Sequence, residues 1–290
     1  MKIAVIGAGW YGCHIANELT LDHYDVDLYE SKSDIFQGAS GFNQNRLHQG
    51  FHYPRSYVTR EQSFSGFKQF IEKYGLLTSV IDDNIYAIAK NKSFIDFETY
   101  IQVMDASGVE YEICSSKKYD LKNISGAVKC NERLIRTDKA RKYFRELLDE
   151  KLLLNTAITE IINKEDSVLV NNIHYDAVIN CTWSTLLPFS KPKVYYEPFV
   201  TFLYKSDTFN SKAITIMDGP FFSIYPFSKN TFSLTHVDLN PIGKFATFKL
   251  AKEHIQKTNK SYFNAIRKKN EDAVMYILPT FNSIFTYENY

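Results

Sequence analysis

The chain has 290 residues, of which 44% are hydrophobic and 23% charged, with a formal net charge of +1. That is ordinary globular composition, long enough for one large domain or two moderate ones with a core that needs no staples. The near-neutral charge excludes a bulk field for nucleic acid or an anionic membrane, and no window approaches the roughly 18 apolar residues of a membrane span.

The N-terminus MKIAVIGAG lacks the apolar run and cleavage site of a signal peptide. The four cysteines, Cys13, Cys114, Cys130 and Cys181, lie far apart without metal-ligand spacing. A metal site and a disulfide framework are therefore not expected, and a cytoplasmic protein with reduced thiols is.

In chain order, KIAVI at 2–6 predicts a buried strand, GAGWYG at 7–12 a turn, CHIANELTLD at 13–22 a helix and DVDLYE at 25–30 a second strand. The polar stretch GASGFNQNRLHQGFHYPRS follows at 38–56, then a helix over 57–75 with Gly75 as its C-cap. Short strands are expected at 83–89 and 109–114, with a helix around 93–106 between them. Thr137-Asp138 opens a helix through DKARKYFRELLDEK. Residues 152–181 read as strands and end in Cys181-Thr182-Trp183. Further strands are expected in VYYEPFVTFLY, AITIM, FFSIYPF and TFSLTHVDL, and a helix over about 245–270. There is no internal repeat.

Gly7, Gly9 and Gly12 form G-x-G-x-x-G between a strand and a helix. Gly7 allows the tight turn, Gly9 lets a pyrophosphate approach the backbone, and Gly12 lets the helix pack against the strand. The helix start presents unpaired N–H groups to the phosphates. Glu30 closes the second strand and can accept from both ribose hydroxyls while repelling a 2′-phosphate. FAD and NAD both fit this turn. An NAD unit would run on into its next strand and helix; here Glu30 is followed by SKSDIFQGAS and the polar stretch.

VIGAGWYG, LYE, GAS and the Asn-rich turn into RLHQGFHYPRS resemble the N-terminal part of FAD-dependent oxidoreductases of the D-amino-acid oxidase superfamily, which includes glycine and sarcosine oxidases. Arg136-Thr137-Asp138 and DAVINCTW are similar to later parts of the FAD domain, and residues 219–237 to late substrate-domain strands. The resemblance implies an α/β fold: a Rossmann-type FAD-binding domain over 1–77 and 130–188, with an inserted antiparallel β-rich (α+β) substrate domain over 78–129 and 189–290. It implies FAD as cofactor and hydride transfer from a small-molecule amine, amino acid or 2-hydroxy acid, sugar-linked ones included. Two departures stand out. Trp183 replaces a small residue, and no glycine-rich closing segment precedes Tyr290. A shortened flavin-binding protein without turnover, an NAD-dependent dehydrogenase, and a flavin site completed by a partner chain or a second copy remain as alternatives.

The resemblance places Gly9, Trp10, Tyr11 and Gly12 at the pyrophosphate and Glu30 at the ribose. Ser40, Asn43, Gln44 and Asn45 would pass the flavin, with Arg46, Leu47 and His48 near its ring and Cys181, Thr182 and Trp183 at the late strand end. Arg46 can grip a carboxylate and His48 can move a proton near neutrality. His52, Tyr53 and Arg55 either edge the substrate cavity or brace the loop. Tyr225 and His236, on late strands, are further candidates for the cavity roof, His236 also being readable as a packing residue.

Overall fold

The computed structural model describes residues 1–183, 185–186 and 193–290. The chain forms two compact units, Met1–Asn45 with Arg136–Val194, and Arg46–Ile135 with Tyr195–Tyr290. The expected boundary at 188/189 lies outside the described residues.

The first unit is built on a parallel sheet. Strand β1 (Lys2–Ile6) lies between Ala177–Asn180 and strand β2 (Asp25–Tyr29), and Leu152–Leu153 adds a fourth strand beside β2. Ile3, Ala4, Val5 and Ile6 are all buried, as expected of a central parallel strand covered on both faces. Ala4, Ile6 and Tyr29 pack with Ile158, Val170 and Tyr175, the last two from a three-stranded antiparallel sheet. Tyr175 donates to Asp27 at 2.6 Å, so Tyr29 is the donor in its own hydrogen bond with Tyr175. Elsewhere in the unit, Trp10 of helix α1 (Trp10–Leu21) meets Phe36 and Phe144, each at 5.6 Å between ring centroids. Phe144 lies on the helix Thr137–Leu148. Its N-cap is Arg136, not Thr137, and Arg136 grips Asp138 with two hydrogen bonds of 2.9 and 2.6 Å.

The second unit is an eight-stranded sheet. Its order is Thr286–Asn289, Phe202–Lys205, Thr231–His236, Phe222–Ser228, Lys212–Met217, Asp83–Ala89, Ile124–Cys130 and Tyr111–Cys114. All neighbours are antiparallel except Lys212–Met217 beside Asp83–Ala89. Side chains alternate across a strand with a period of two, and that parity divides the sheet. Ile85, Ala87, Ile214, Ile216, Phe222, Ile224, Phe232 and Leu234 point into one apolar core with Phe263, Ile266 and Val274 of the helix Lys260–Met275. Tyr86, Ile88 and Met217 turn to the other face and pack with Phe51, Tyr100 and Met104. Ala213 and Tyr225 are also grouped there, with Ile81 and Leu134.

The helix Tyr57–Tyr74 packs in this second unit, although the sequence reading grouped 46–77 with the dinucleotide segments. Buried Arg60 is the reason. It donates to Ser107 at 2.8 Å and to the carbonyl of Pro54 at 2.7 Å, tying the helix to its own unit. Residues 46–47 also pair with Arg133–Ile135 in a small antiparallel sheet. The single helix expected over 245–270 is two, Phe248–Lys257 and Lys260–Met275, because Asn259 caps the second by accepting from the Tyr262 N–H. VYYEPFVTFLY yields a strand only over Phe202–Lys205.

Residues 196–200 are instead held by fully buried Asn240, whose side chain accepts from the His236 N–H at 2.8 Å and donates to the Val200 carbonyl. The Val200 N–H returns a bond to the Asn240 carbonyl at 3.0 Å. Asn240→Ala strands two buried backbone groups, each worth about 1–3 kcal/mol. The variant should lose roughly 2–4 kcal/mol in urea unfolding; a midpoint equal to wild type would contradict this account.

Candidate functional site

Candidate residues fall into two clusters, one in each unit. In the first, Gly7 has φ +98°, and a Cβ there would stand 2.8 Å from the Cys181 carbonyl oxygen. At Gly12 a Cβ would come within 1.8 Å of the Gly7 oxygen. Only glycine lets strand, turn and helix close up at these two positions. Gly9 is the N-cap of α1 and supplies no side chain to it. Ser40 takes that task, accepting from the Trp10 N–H at 2.9 Å. Tyr11 is exposed. The helix start therefore keeps N–H groups that an anion can use, backed by the positive end of the helix dipole.

Glu30 is adjacent in space: one carboxylate oxygen accepts from the Ala8 N–H at 2.9 Å, the other from the Lys32 N–H at 3.0 Å and the Ser31 hydroxyl at 3.2 Å. A carboxylate offers about four acceptor positions, so capacity remains for one ribose hydroxyl, and for a second where the Ser31 hydroxyl turns away. Asn43 turns its side chain onto the Gln44 N–H, and Asn45 takes φ +55°. Thr182 donates to Asn180 at 2.6 Å. Trp183, 72% exposed, sits at φ +60°, the left-handed region that favours glycine. The position keeps a glycine-like backbone although its side chain is large. Cys13 is buried, and burial followed by the charge of Glu30 pushes its thiol up, so it is an inert packing group beside the turn.

The second cluster centres on a residue the sequence reading did not single out. Glu132 is 0% exposed. It sits between the strands Ile124–Cys130 and Arg133–Ile135. One oxygen accepts from the Gln49 N–H at 2.7 Å; the other accepts from the Tyr86 hydroxyl at 2.6 Å and lies 3.4 Å from His48 Nδ1. Burial pushes this carboxyl up, but the facing His48 and the Tyr86 and Gln49 donors outweigh it and hold the group below the usual range. Tyr86 is itself buried, and burial with the nearby carboxylate raises its phenol well above normal.

Arg46 lies over the Tyr225 ring, 4.2 Å from its centroid, and donates to Thr215 at 2.7 Å. The Tyr225 hydroxyl meets Asn84 at 3.4 Å, and Asn84 also donates to the Glu132 carbonyl at 3.3 Å. His48, His52 and Tyr53 form a ring trio with centroids 5.4–5.6 Å apart. Arg55, largely exposed, forms an ion pair with Asp218 and stacks on Phe94. Its role here is to brace the loop. Leu47 is buried.

Among the sequence candidates, the structure brings Arg46, His48, His52, Tyr53 and Tyr225 together. It does not bring in His236. That strand pairs His236 with Phe222, whose ring belongs to the apolar core on the opposite face from Tyr225. His236 Nδ1 instead accepts from the Asp238 N–H at 3.2 Å, a turn brace whose burial lowers the ring's basicity. Glu132, Asn84, Tyr86 and Thr215 were not found from sequence. Strand parity puts Asn84 and Tyr86, two residues apart, on one face of their strand, but does not say what that face meets. Among the described residues, no three His, Cys, Asp or Glu side chains converge as a metal site, and no helix is long and apolar enough to cross a membrane.

Burial first, then the neighbouring Arg46 and His48, drive His52 down to a pKa of about 3 from 6.5, with Glu132 opposing. The imidazole is thus neutral in the folded protein at neutral pH. Below about pH 6.5 the unfolded chain takes up a proton that the folded chain refuses until about pH 3. The stabilisation is complete above pH 6.5 and is lost as pH falls through that window. His52→Gln should remove a slope of at most roughly 1.4 kcal/mol per pH unit. Urea midpoints between pH 7 and pH 4 test this; an equally steep fall in the variant contradicts it.

Comparison with known proteins bears on both clusters. A family model described as "DAO: FAD dependent oxidoreductase" matches residues 2–284. The chain is 35% identical over 287 residues to the FAD-dependent monooxygenase FPY4 of Fusarium mangiferae, covering 99% of this chain and 77% of that protein. It is 29% identical over 274 residues to the FAD-dependent monooxygenase kojA of Aspergillus flavus, covering 84% of this chain and 64% of that one. Among solved structures, glycine oxidase from Geobacillus kaustophilus superposes with a TM-score of 0.65 at 11% identity, over 99% of this chain and 83% of that chain. The FAD-bound L-alpha-glycerophosphate oxidase of Mycoplasma pneumoniae gives a TM-score of 0.69 at 15% identity, over 97% and 79%. At these identities the two structures show a common fold.

Proposed function

Because the chain belongs to the DAO family of FAD dependent oxidoreductases, we propose that it takes a hydride from a small amine, amino acid or 2-hydroxy acid. The NAD-dependent alternative falls with the family assignment. The four cysteines are free, which supports a reducing, cytoplasmic setting.

The first unit fits the cofactor. A side chain at Gly7 or Gly12 would close the turn, and α1 starts without a cap of its own. The N–H groups of Tyr11 and Gly12 would hold the pyrophosphate beside Trp10, whose own N–H goes to Ser40, and Glu30 would hold the ribose. Ser40, Asn43, Gln44 and Asn45, with Cys181, Thr182 and Trp183, would line the rest of its path. When bound, FAD supplies the electron sink that accepts the hydride.

The observation that carries the substrate reading is Arg46 held over the Tyr225 ring in the same unit as His48, which faces the buried Glu132 carboxylate. The Arg46 guanidinium, held flat by the Tyr225 ring and by Thr215, would grip the substrate carboxylate. His48 would take the proton from the substrate's N–H or O–H as the adjacent C–H bond gives up its hydride, leaving an imine or a ketone. His52 would stay neutral beside it.

A second reading, oxygen insertion into the substrate, is favoured by the two fungal relatives named as monooxygenases. It predicts consumption of a reduced nicotinamide and incorporation of an atom from labelled dioxygen. The first reading predicts neither.

The test begins with the absorption spectrum of the purified protein and the release of its flavin on denaturation. Anaerobic addition of amines, amino acids and 2-hydroxy acids should then bleach the flavin with one class. Flavin-loaded protein that none of them bleaches would sink the reading. Arg46→Lys, which loses the planar fork, should raise KM for that substrate about tenfold or more while the flavin spectrum stays as it was.

A further inference from the structure

We propose that Glu132 is a positioning residue: its buried carboxylate fixes the His48 ring with Nδ1–H toward Glu132 and leaves Nε2 as the atom that accepts the substrate proton. The proposal rests on the reading of His48 as the proton-transfer group, and it adds what makes that group usable.

Three observations converge on it. First, the carboxylate holds the backbone and faces the ring of the same segment. The Gln49 N–H binds one oxygen at 2.7 Å, and Nδ1 of the preceding residue lies 3.4 Å from the other. Second, the two ring nitrogens of His48 differ. Nδ1 is sealed from solvent and lies 3.4 Å from a Glu132 oxygen, longer than a well-formed hydrogen bond. Nε2 makes no hydrogen bond among the described residues, and the His48 side chain is 25% exposed. Third, a buried carboxylate is costly to keep. An apolar residue of similar size would pack as well, so retaining a charge here calls for a task beyond packing. Stabilising an imidazolium that forms during turnover is such a task.

The proton inventory closes. The substrate's N–H or O–H proton would pass to Nε2, bound FAD would supply the acceptor for the C–H hydride, and Glu132 would meet the imidazolium charge. The partly exposed ring then returns the proton to water. His52 cannot substitute, because its own Nδ1 is buried without a hydrogen bond and faces no acceptor. Tyr86, donating to the same oxygen as His48, keeps that oxygen from turning away.

The test uses the flavin-loaded protein with histidine nitrogens isotopically labelled, the His48 signal being assigned with His48→Asn. Nitrogen NMR should show His48 as the Nδ1–H tautomer in wild type and shifted toward Nε2–H in Glu132→Gln. Glu132→Gln should slow anaerobic flavin reduction about tenfold or more. Glu132→Asp should recover part of that rate, and Glu132→Gln combined with His48→Asn should be no slower than His48→Asn alone. A wild-type Nε2–H tautomer overturns the proposal, as does a Glu132→Gln rate equal to wild type. Should Glu132→Gln not fold, the wild-type spectrum and Glu132→Asp decide by the same signs. If no substrate class bleaches the wild-type flavin, the substrate reading fails, while the tautomer still decides whether Glu132 sets the ring.

Discussion

A carboxylate with no contact with water governs the second unit. Removing such a group from water costs several kcal/mol unless donors replace the lost hydration. Glu132 obtains its donors from Gln49 and Tyr86 and faces His48, all distant in sequence. Each must be delivered by secondary structure. Antiparallel pairing of Arg46–Leu47 with Arg133–Ile135 sets residues 48–49 beside Glu132. Pairing of Asp83–Ala89 with Ile124–Cys130 brings Tyr86 alongside. The small sheet and the large one are thus joined by a charge that neither could tolerate alone.

The same sheet separates chemistry from packing. One face is filled by aliphatic and aromatic side chains under the helix Lys260–Met275. The other carries Asn84, Tyr86, Thr215 and Tyr225, which are buried yet polar. Arg46 is fastened to that face by Thr215 and the Tyr225 ring, which costs little desolvation for a delocalised cation. Neutral His52 lies near both Arg46 and Glu132.

Some of this was readable from the residues. The glycine turn and Glu30 are local signals, because strand, turn and helix are contiguous and their periodicity changes where it should. Arg46 and His48 stood out by chemical type. Glu132 did not, since CNERLIR reads as a polar turn and only long-range pairing buries its acid. His236 and Tyr225 looked alike as polar residues on late strands. Their separation to opposite faces depends on the register between strands, which no single strand reveals. The grouping of 46–77 with the dinucleotide segments differs from the compact units for a related reason: an amphipathic pattern says that a helix packs, not which unit it packs in. Buried Arg60, reaching Ser107, settles that.

The interleaving of the two units has a consequence for synthesis. Strand β1 is made well before Ala177, with which Ile3 must pair. Asp83–Ala89 waits in the same way for Lys212–Met217. As the nascent chain leaves the ribosome, each sheet exposes an unsatisfied central edge through much of translation. Long loop closures of this kind are slow, and bare edges recruit other chains. The first unit has all its residues once Val194 is made, the second only once Thr286–Asn289 is. Both sheets close late, after most of these 290 residues have been made, so the growing polypeptide depends on being shielded until then.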